Sequence, residues 1–172
     1  MPESAPPVAP FRIDDELKEF IESGVAILLG AVDAEGHPRV AYGWGPRVHA
    51  GGDRLSVYIE RARSPQLLSA GLRQIAVTFT DPVSVRSVQV KGQMLELGEP
   101  NEAEETWIAR QRDAMTVSCA LIGDPPHMIR NLWMDDTIRI DLTVERAFDQ
   151  TPGPNAGQPL VSSEARAGEV VR

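Results

Sequence analysis

Three short stretches carry side chains whose types and spacing suit chemistry. In RSVQVKG, residues 86–92, a strand would alternate its side chains. Val88 and Val90 then point one way, Ser87, Gln89 and Lys91 point the other, and Gly92 ends the pattern. The valine face belongs in a core. The Ser/Gln/Lys face offers donors and acceptors, either to a polar ligand or to water. In ERARSPQLL, Arg61 and Arg63 precede Ser64, a natural helix cap, and Pro65, a natural first helical residue. Arginine beside a helix start suits an anion; the same residues equally suit a capped surface helix with two solvated arginines. Tyr42 and Trp44 share one face of a strand, as walls for a flat ligand or as core aromatics.

Other reactive types form no pattern. His37, His49 and His127 fall in a hairpin turn, a glycine-rich turn and a loop, so their spacing makes no metal site. No Ser/His/Asp arrangement is legible. The one cysteine, Cys119, stands among apolar neighbours and reads as a small buried residue; it has no intrachain partner.

The elements that must position these residues follow from punctuation. DDELKEFIESG reads as a short helix, capped by Asp14 or Asp15, striped by Leu17, Phe20 and Ile21 and stopped by Gly24. Two apolar runs around DAEGHP read as a β-hairpin with Gly36 in its turn. HAGGD is a second turn, leading into RLSVYIE. QIAVTFTD and VSVRSVQVKGQMLEL are two further strands on either side of Asp81-Pro82. Residues 100–118 form the long helix, with Glu102, Glu104 and Glu105 at the favourable end of its dipole and Trp107, Ile108, Gln111 and Met115 at helical spacing. DPPHMIRNLW begins a short helix or loop, and TIRIDLTVERAF is the last strand. About six strands on short connections favour antiparallel pairing, closed on itself to remove open edges. The expectation is a mainly β fold with peripheral helices.

Composition narrows the function. The chain has 172 residues, a net charge of −8 and 42% hydrophobic residues. One domain of this size buries a real core. The acidity argues against nucleic acid or an anionic membrane as partner, though it leaves room for a small local anion site. MPESAPPVAP lacks the basic residues and apolar run of a signal peptide, and no apolar run is long enough to span a bilayer, so a cytoplasmic location is expected. Residues 1–11 read as a flexible arm, 12–148 as the domain and 149–172 as a Pro/Gly-rich tail.

In this order and register, ELKEFIESG, VAILLGAVDAEGHPRVAYGWG, LSVYIERARSPQLLSAGL, IAVTFTDP and SVQVKGQM resemble the pyridoxamine 5′-phosphate oxidase-like FMN-binding split barrels. The resemblance implies a six-stranded antiparallel split β-barrel and a homodimer with FMN in the cleft between two chains. It implies that Arg61, Arg63 and Ser64 hold the phosphate, that strand 40–44 with Tyr42 and Trp44 lines the ring, and that Ser87, Gln89 and Lys91 face it. Trp133, before the last strand, would reach the partner's flavin; a hydrophobic plug is the plainer reading. The chain departs from the family at Gln66, where a basic residue often stands; the candidates to compensate are Arg61, Arg63, or Arg47 and Arg39 from the preceding strand. It also lacks the Arg-Leu-His motif that handles pyridoxal phosphate, reading VERAFDQTPGP instead. What is implied is an FMN-dependent oxidoreductase acting on a small molecule other than pyridoxamine 5′-phosphate. The alternatives are a non-catalytic flavin-storage protein, or a barrel adapted to haem or a deazaflavin.

Overall fold

A computed structural model describes residues 11–33, 35–69, 74–132 and 136–162. Its elements are α1 (Asp15–Ile21), β1 (Ala26–Val32), β2 (Pro38–Val48), β3 (Arg54–Glu60), α2 (Pro65–Ser69), β4 (Gln74–Thr80), β5 (Ser87–Gly98), α3 (Glu102–Leu121), α4 (Pro126–Asn131), β6 (Thr137–Thr143) and β7 (Arg146–Asp149). The strands run in the order β4-β1-β2-β3-β6-β5-β7, and β4 also pairs with β5. Six antiparallel strands therefore close on themselves, with β7 outside. This is the split β-barrel that the resemblance implies.

Alternation fills the barrel. Ile27 and Leu29 of β1, Leu55, Val57 and Ile59 of β3, Ile75, Val77 and Phe79 of β4, Val88 and Val90 of β5, and Ile138, Ile140 and Leu142 of β6 form one core. Helix α1 adds Leu17 and Ile21 to it, and the carboxylate of its N-cap Asp14 accepts from the Leu17 amide at 3.0 Å. Helix α3 covers the outside of β2 and β3, where Ile108 packs on Trp44 and Tyr58. Its start is fixed by a capping box in which the side chain of Asn101 and that of Glu104 each accept from the other's backbone amide.

Two details go beyond the sequence reading. Gly92 ends the alternating pattern but not the strand: β5 starts at Ser87 and runs on to Gly98, paired with β4 and β7 in its first half and with β6 in its second. A side chain at Gly92 would collide with the carbonyl oxygen of Thr143, so glycine marks a close backbone crossing rather than a strand end. The last apolar run is also two strands. The Val144 amide donates to Asp53 and that of Glu145 to Lys91, which turns the chain out of β6 and onto the edge of β5 as β7. Residues 150–160 fold back on that strand, the Leu160 amide donating to Ala147 at 2.8 Å. No helix among the described residues is long and apolar enough to cross a membrane.

Candidate functional site

The outer face of β1 and β2 is the part of the barrel wall that invites a ligand. Alternation sends Ile27, Leu29 and Ala31 inward, which leaves Leu28, Gly30 and Val32 outside. On β2 the outward positions are Val40 and Tyr42, 63% and 67% exposed. Two rows cross the sheet. Tyr42, Leu28, Thr78 and Gln89 are successive partners from β2 to β5, and Val40, Gly30, Ala76 and Lys91 form the next row. The second row has almost no side-chain bulk at its middle. A Cβ built on Gly30 meets nothing within 4 Å, so packing does not require glycine there. The result is a shallow lane with an aromatic and aliphatic wall on one side and polar groups at its β5 end.

A cavity of about 280 Å³ opens at the β2 end of this lane, lined by Leu28, Val40, Tyr42, Glu60, Arg63 and Ser64, among others. A neighbouring one of about 270 Å³ shares Val40 and Ser64 and adds Pro38 and Arg39. Ser64 is buried at the corner between β3 and α2, and its carbonyl accepts from Leu67 and Leu68. The Arg63 guanidinium, half exposed, is steadied from both sides. Its Nε lies 3.2 Å from a Glu60 carboxylate oxygen, and Nη1 donates to the Leu132 carbonyl at 3.1 Å. Five N–H groups leave it donors to spare.

The structure thus brings Tyr42, Arg63 and Ser64 to one cavity, with Gln89 and Lys91 across the same outer face. Gln89 donates to Thr78 Oγ1 at 3.0 Å, and the Lys91 ammonium sits 4.7 Å from the Phe148 ring centre. Ser87 is enclosed: its hydroxyl meets that of Thr80 at 2.8 Å and its amide donates to Thr151. Arg61 turns the other way, onto Glu99 at 2.8 Å and Asp136 at 3.1 Å, and both carboxylates hold its pKa above the ordinary value. Trp44 stacks 6.5 Å from Tyr42 but lies under α3. Arg39 is engaged by buried Asp33 at 2.7 Å, and Arg47 lies over the Trp107 ring. Gln66 falls within α2, its side chain outside the described part of the structure, and Trp133 lies outside the described residues.

Sequence reasoning missed Leu28, Gly30 and Glu60, and it had Val40 only as part of strand 40–44. VAILLGAV is apolar on both faces, so it hides which face is out, and a glutamate ending a strand carries no sign of burial. It also missed a polar network on the outer side of β3 and β6. Glu104 accepts from the Tyr58 hydroxyl at 2.9 Å and from Arg139 at 3.0 Å, and Arg139 also donates to Asp141 at 3.1 Å. Burial alone pushes the Glu104 carboxyl up, but the Asn101 amide, the Tyr58 hydroxyl and Arg139 together hold it below its ordinary value. Burial, then the bond to Glu104, raises the Tyr58 phenol. Two further residues, Ser56 and His49, join this network through Asp141.

No family model matches the sequence, and no curated protein matches it. Solved structures do. HupZ of Group A Streptococcus is 16% identical, with 84% of this chain covering 99% of that one at a TM-score of 0.51. A putative pyridoxamine 5′-phosphate oxidase from Lactobacillus delbrueckii is 16% identical, over 80% of this chain and 93% of that one, at 0.48. An FMN-binding protein from Syntrophomonas wolfei is 12% identical, over 76% and 81%, at 0.45. At these identities the likeness is one of fold.

Proposed function

We propose, for a chain with the fold of the pyridoxamine 5′-phosphate oxidase-like split barrels, that it binds FMN on the outer face of β1 and β2 and serves as a cytoplasmic oxidoreductase for a small molecule. The observation that carries this is the pairing of a bare lane with an anion corner. A flat ring needs a surface without side-chain bulk, and Gly30 and Ala76 provide one between the wall of Tyr42 and Leu28 and the polar ends of Gln89 and Lys91. A phosphate needs a charged donor at the end of that surface, and Arg63 stands at the same cavity as Tyr42. The residues present therefore fit the cofactor. Bound there, FMN supplies hydride and electron transfer. The chain's part is to orient and tune: Arg63 fixes the phosphate, Leu28 and Tyr42 keep water from one side of the ring, and Gln89 offers its amide to the polar edge. A half-open lane leaves the other side to a second copy of the chain, so the working form is a homodimer.

The absorbance spectrum of the purified protein, before and after adding FMN, tests this directly. A flavin spectrum with turnover of a reductant is the expected result. A flavin spectrum without turnover would mean storage, and a Soret band on haem addition would mean a different ligand. Affinity locates the phosphate. Arg63→Ala should weaken FMN by about 10- to 150-fold, the loss of one charge-assisted bond, and leave riboflavin nearly unchanged. Equal weakening of both ligands would place the phosphate elsewhere.

A further inference from the structure

The β2 end of the lane holds a negative charge at the place where an anion is to be bound. Leu55, Val57 and Ile59 of β3 face the core, so Glu60 points outward. Ile59 partners Gly43, which sets Glu60 beside Tyr42, one step along the antiparallel pair. The Glu60 side chain is 4% exposed and its carboxylate lies 3.2 Å from Arg63 Nε. Both residues line the cavity of about 280 Å³, together with Tyr42, Leu28 and Ser64. A glutamate is seldom this enclosed unless paired. Here the pair stands in the cavity wall, and its arginine is the group to which the phosphate is assigned.

Neighbouring charges do not tip the corner towards the positive. Arg39, which lines the adjoining cavity, is held by Asp33 at 2.7 Å. Arg61 lies 2.8 Å from Glu99 and 3.1 Å from Asp136. Arg39, Arg61 and Arg63 therefore each stand against at least one carboxylate, and Gln66 adds no charge. Arg63 can still direct N–H groups at a ligand oxygen, because Glu60 and the Leu132 carbonyl leave part of its fork unused. The corner thus offers donors without a surplus of positive charge. A phosphate monoester brings about −1.5 to −2 charges at neutral pH, whereas a diester has no second proton to lose.

We infer that Glu60 determines the specificity of this corner: it limits the ligand's phosphate to a single negative charge, so a diester or a singly protonated monoester is taken in preference to a dianion. The first charge is met by the Arg63 donors. A second charge faces the Glu60 carboxylate in a partly enclosed cavity, where like charges repel more strongly than in water. A repulsive group beside an attractive one discriminates between ligands that the arginine alone would accept. This rests on the reading that Arg63 receives the phosphate of a flavin: that reading gives the phosphate its place, and Glu60 limits the charge it brings.

Three flavins with one ring test this by fluorescence titration of the full chain: uncharged riboflavin, FMN, and riboflavin 4′,5′-cyclic phosphate, a singly charged diester. At about pH 8 the FMN phosphate is a full dianion, and the cyclic ester should bind the unmodified chain more tightly than FMN. In Glu60→Gln, which keeps the side chain's size, FMN should tighten by about 10-fold or more, overtake the cyclic ester and leave riboflavin unchanged. Glu60→Asp, which keeps the charge, should preserve the original order. FMN binding the unmodified chain at least as tightly as the cyclic ester would overturn the proposal, and so would an unchanged order in Glu60→Gln. A phosphate preference that Arg63→Ala removes but Glu60→Gln leaves as it was would sink the role of Glu60 alone. Three flavins bound alike, in the unmodified chain and in Arg63→Ala, or none bound at all, would sink the reading beneath it as well.

Discussion

Gln89 has two claims on it: a bond to Thr78 within the barrel wall and a place on the lane where the flavin ring would lie. Gln89→Leu should cost about 0.5–1.5 kcal/mol of stability for the first. If the second holds, FMN should bind some 5- to 150-fold more weakly, an unpaired polar edge costing about 1–3 kcal/mol, and the flavin's reduction potential should move. Val88→Ala, on the core side, should lower stability without that shift in potential. Titration of FMN fluorescence and a potentiometric measurement on both variants decide it; unchanged affinity and potential in Gln89→Leu would make the polar face ordinary surface. Glu104 allows a test by pH. Its folded pKa is held below the ordinary 4.5, so its contribution is complete above that value and is lost as pH falls through the folded value. Glu104→Gln should cost about 1–3 kcal/mol at neutral pH, and denaturant melts of the two proteins should converge in acid. At this scale the sequence revealed which residue types were worth watching but not their partners. The carboxylates that occupy Arg61, Glu99 and Asp136, stand 38 and 75 positions away, a distance no local pattern reports.

Strand β5 shows what the pattern of an element does and does not carry. Alternation placed Val88 and Val90 in the core correctly, because a period of two admits only two faces. It left the reason for Gly92 open, since a missing side chain looks the same at a strand end and at a crossing of backbones. Gly92→Ala separates these meanings. At a strand end it would be neutral, whereas a Cβ driven against the Thr143 carbonyl should cost about 3 kcal/mol or more, read as a lower midpoint in urea. The break between β6 and β7 was hidden for a related reason. Ile138, Ile140, Leu142 and Val144 keep one alternation through the bend, and the turn is made by backbone bonds to Asp53 and Lys91. The long helix was legible to within a few residues at its ends because its acidic first turn and its Trp107/Ile108/Gln111/Met115 stripe agree; its Asn101 cap was not read.

At the scale of the whole molecule, the outside of β1 and β2 carries a group of exposed apolar side chains. Leu28, Val32, Val40 and Tyr42 lie exposed together on the outside of β1 and β2, beside the cavity that Arg63 and Ser64 close. Burying such a face against a second copy, by isologous contact about a two-fold axis, would cover the open side of the flavin and complete the lane. One substitution separates this arrangement from a self-sufficient chain. Val40 is 63% exposed, so Val40→Glu should change the stability of the isolated chain by no more than about 0.5 kcal/mol. In a dimer it would place a carboxylate in each half of an apolar contact, where an unpaired charge is strongly unfavourable. Sedimentation of the unmodified protein should give twice the chain mass of 18.8 kDa, and Val40→Glu should sediment near the single-chain mass. FMN should be lost along with the dimer, because only half of the wall remains. If the unmodified protein sediments as a single chain and still holds FMN, the second copy is not part of the site, and the exposed face of β1 and β2 must be covered by the flavin alone.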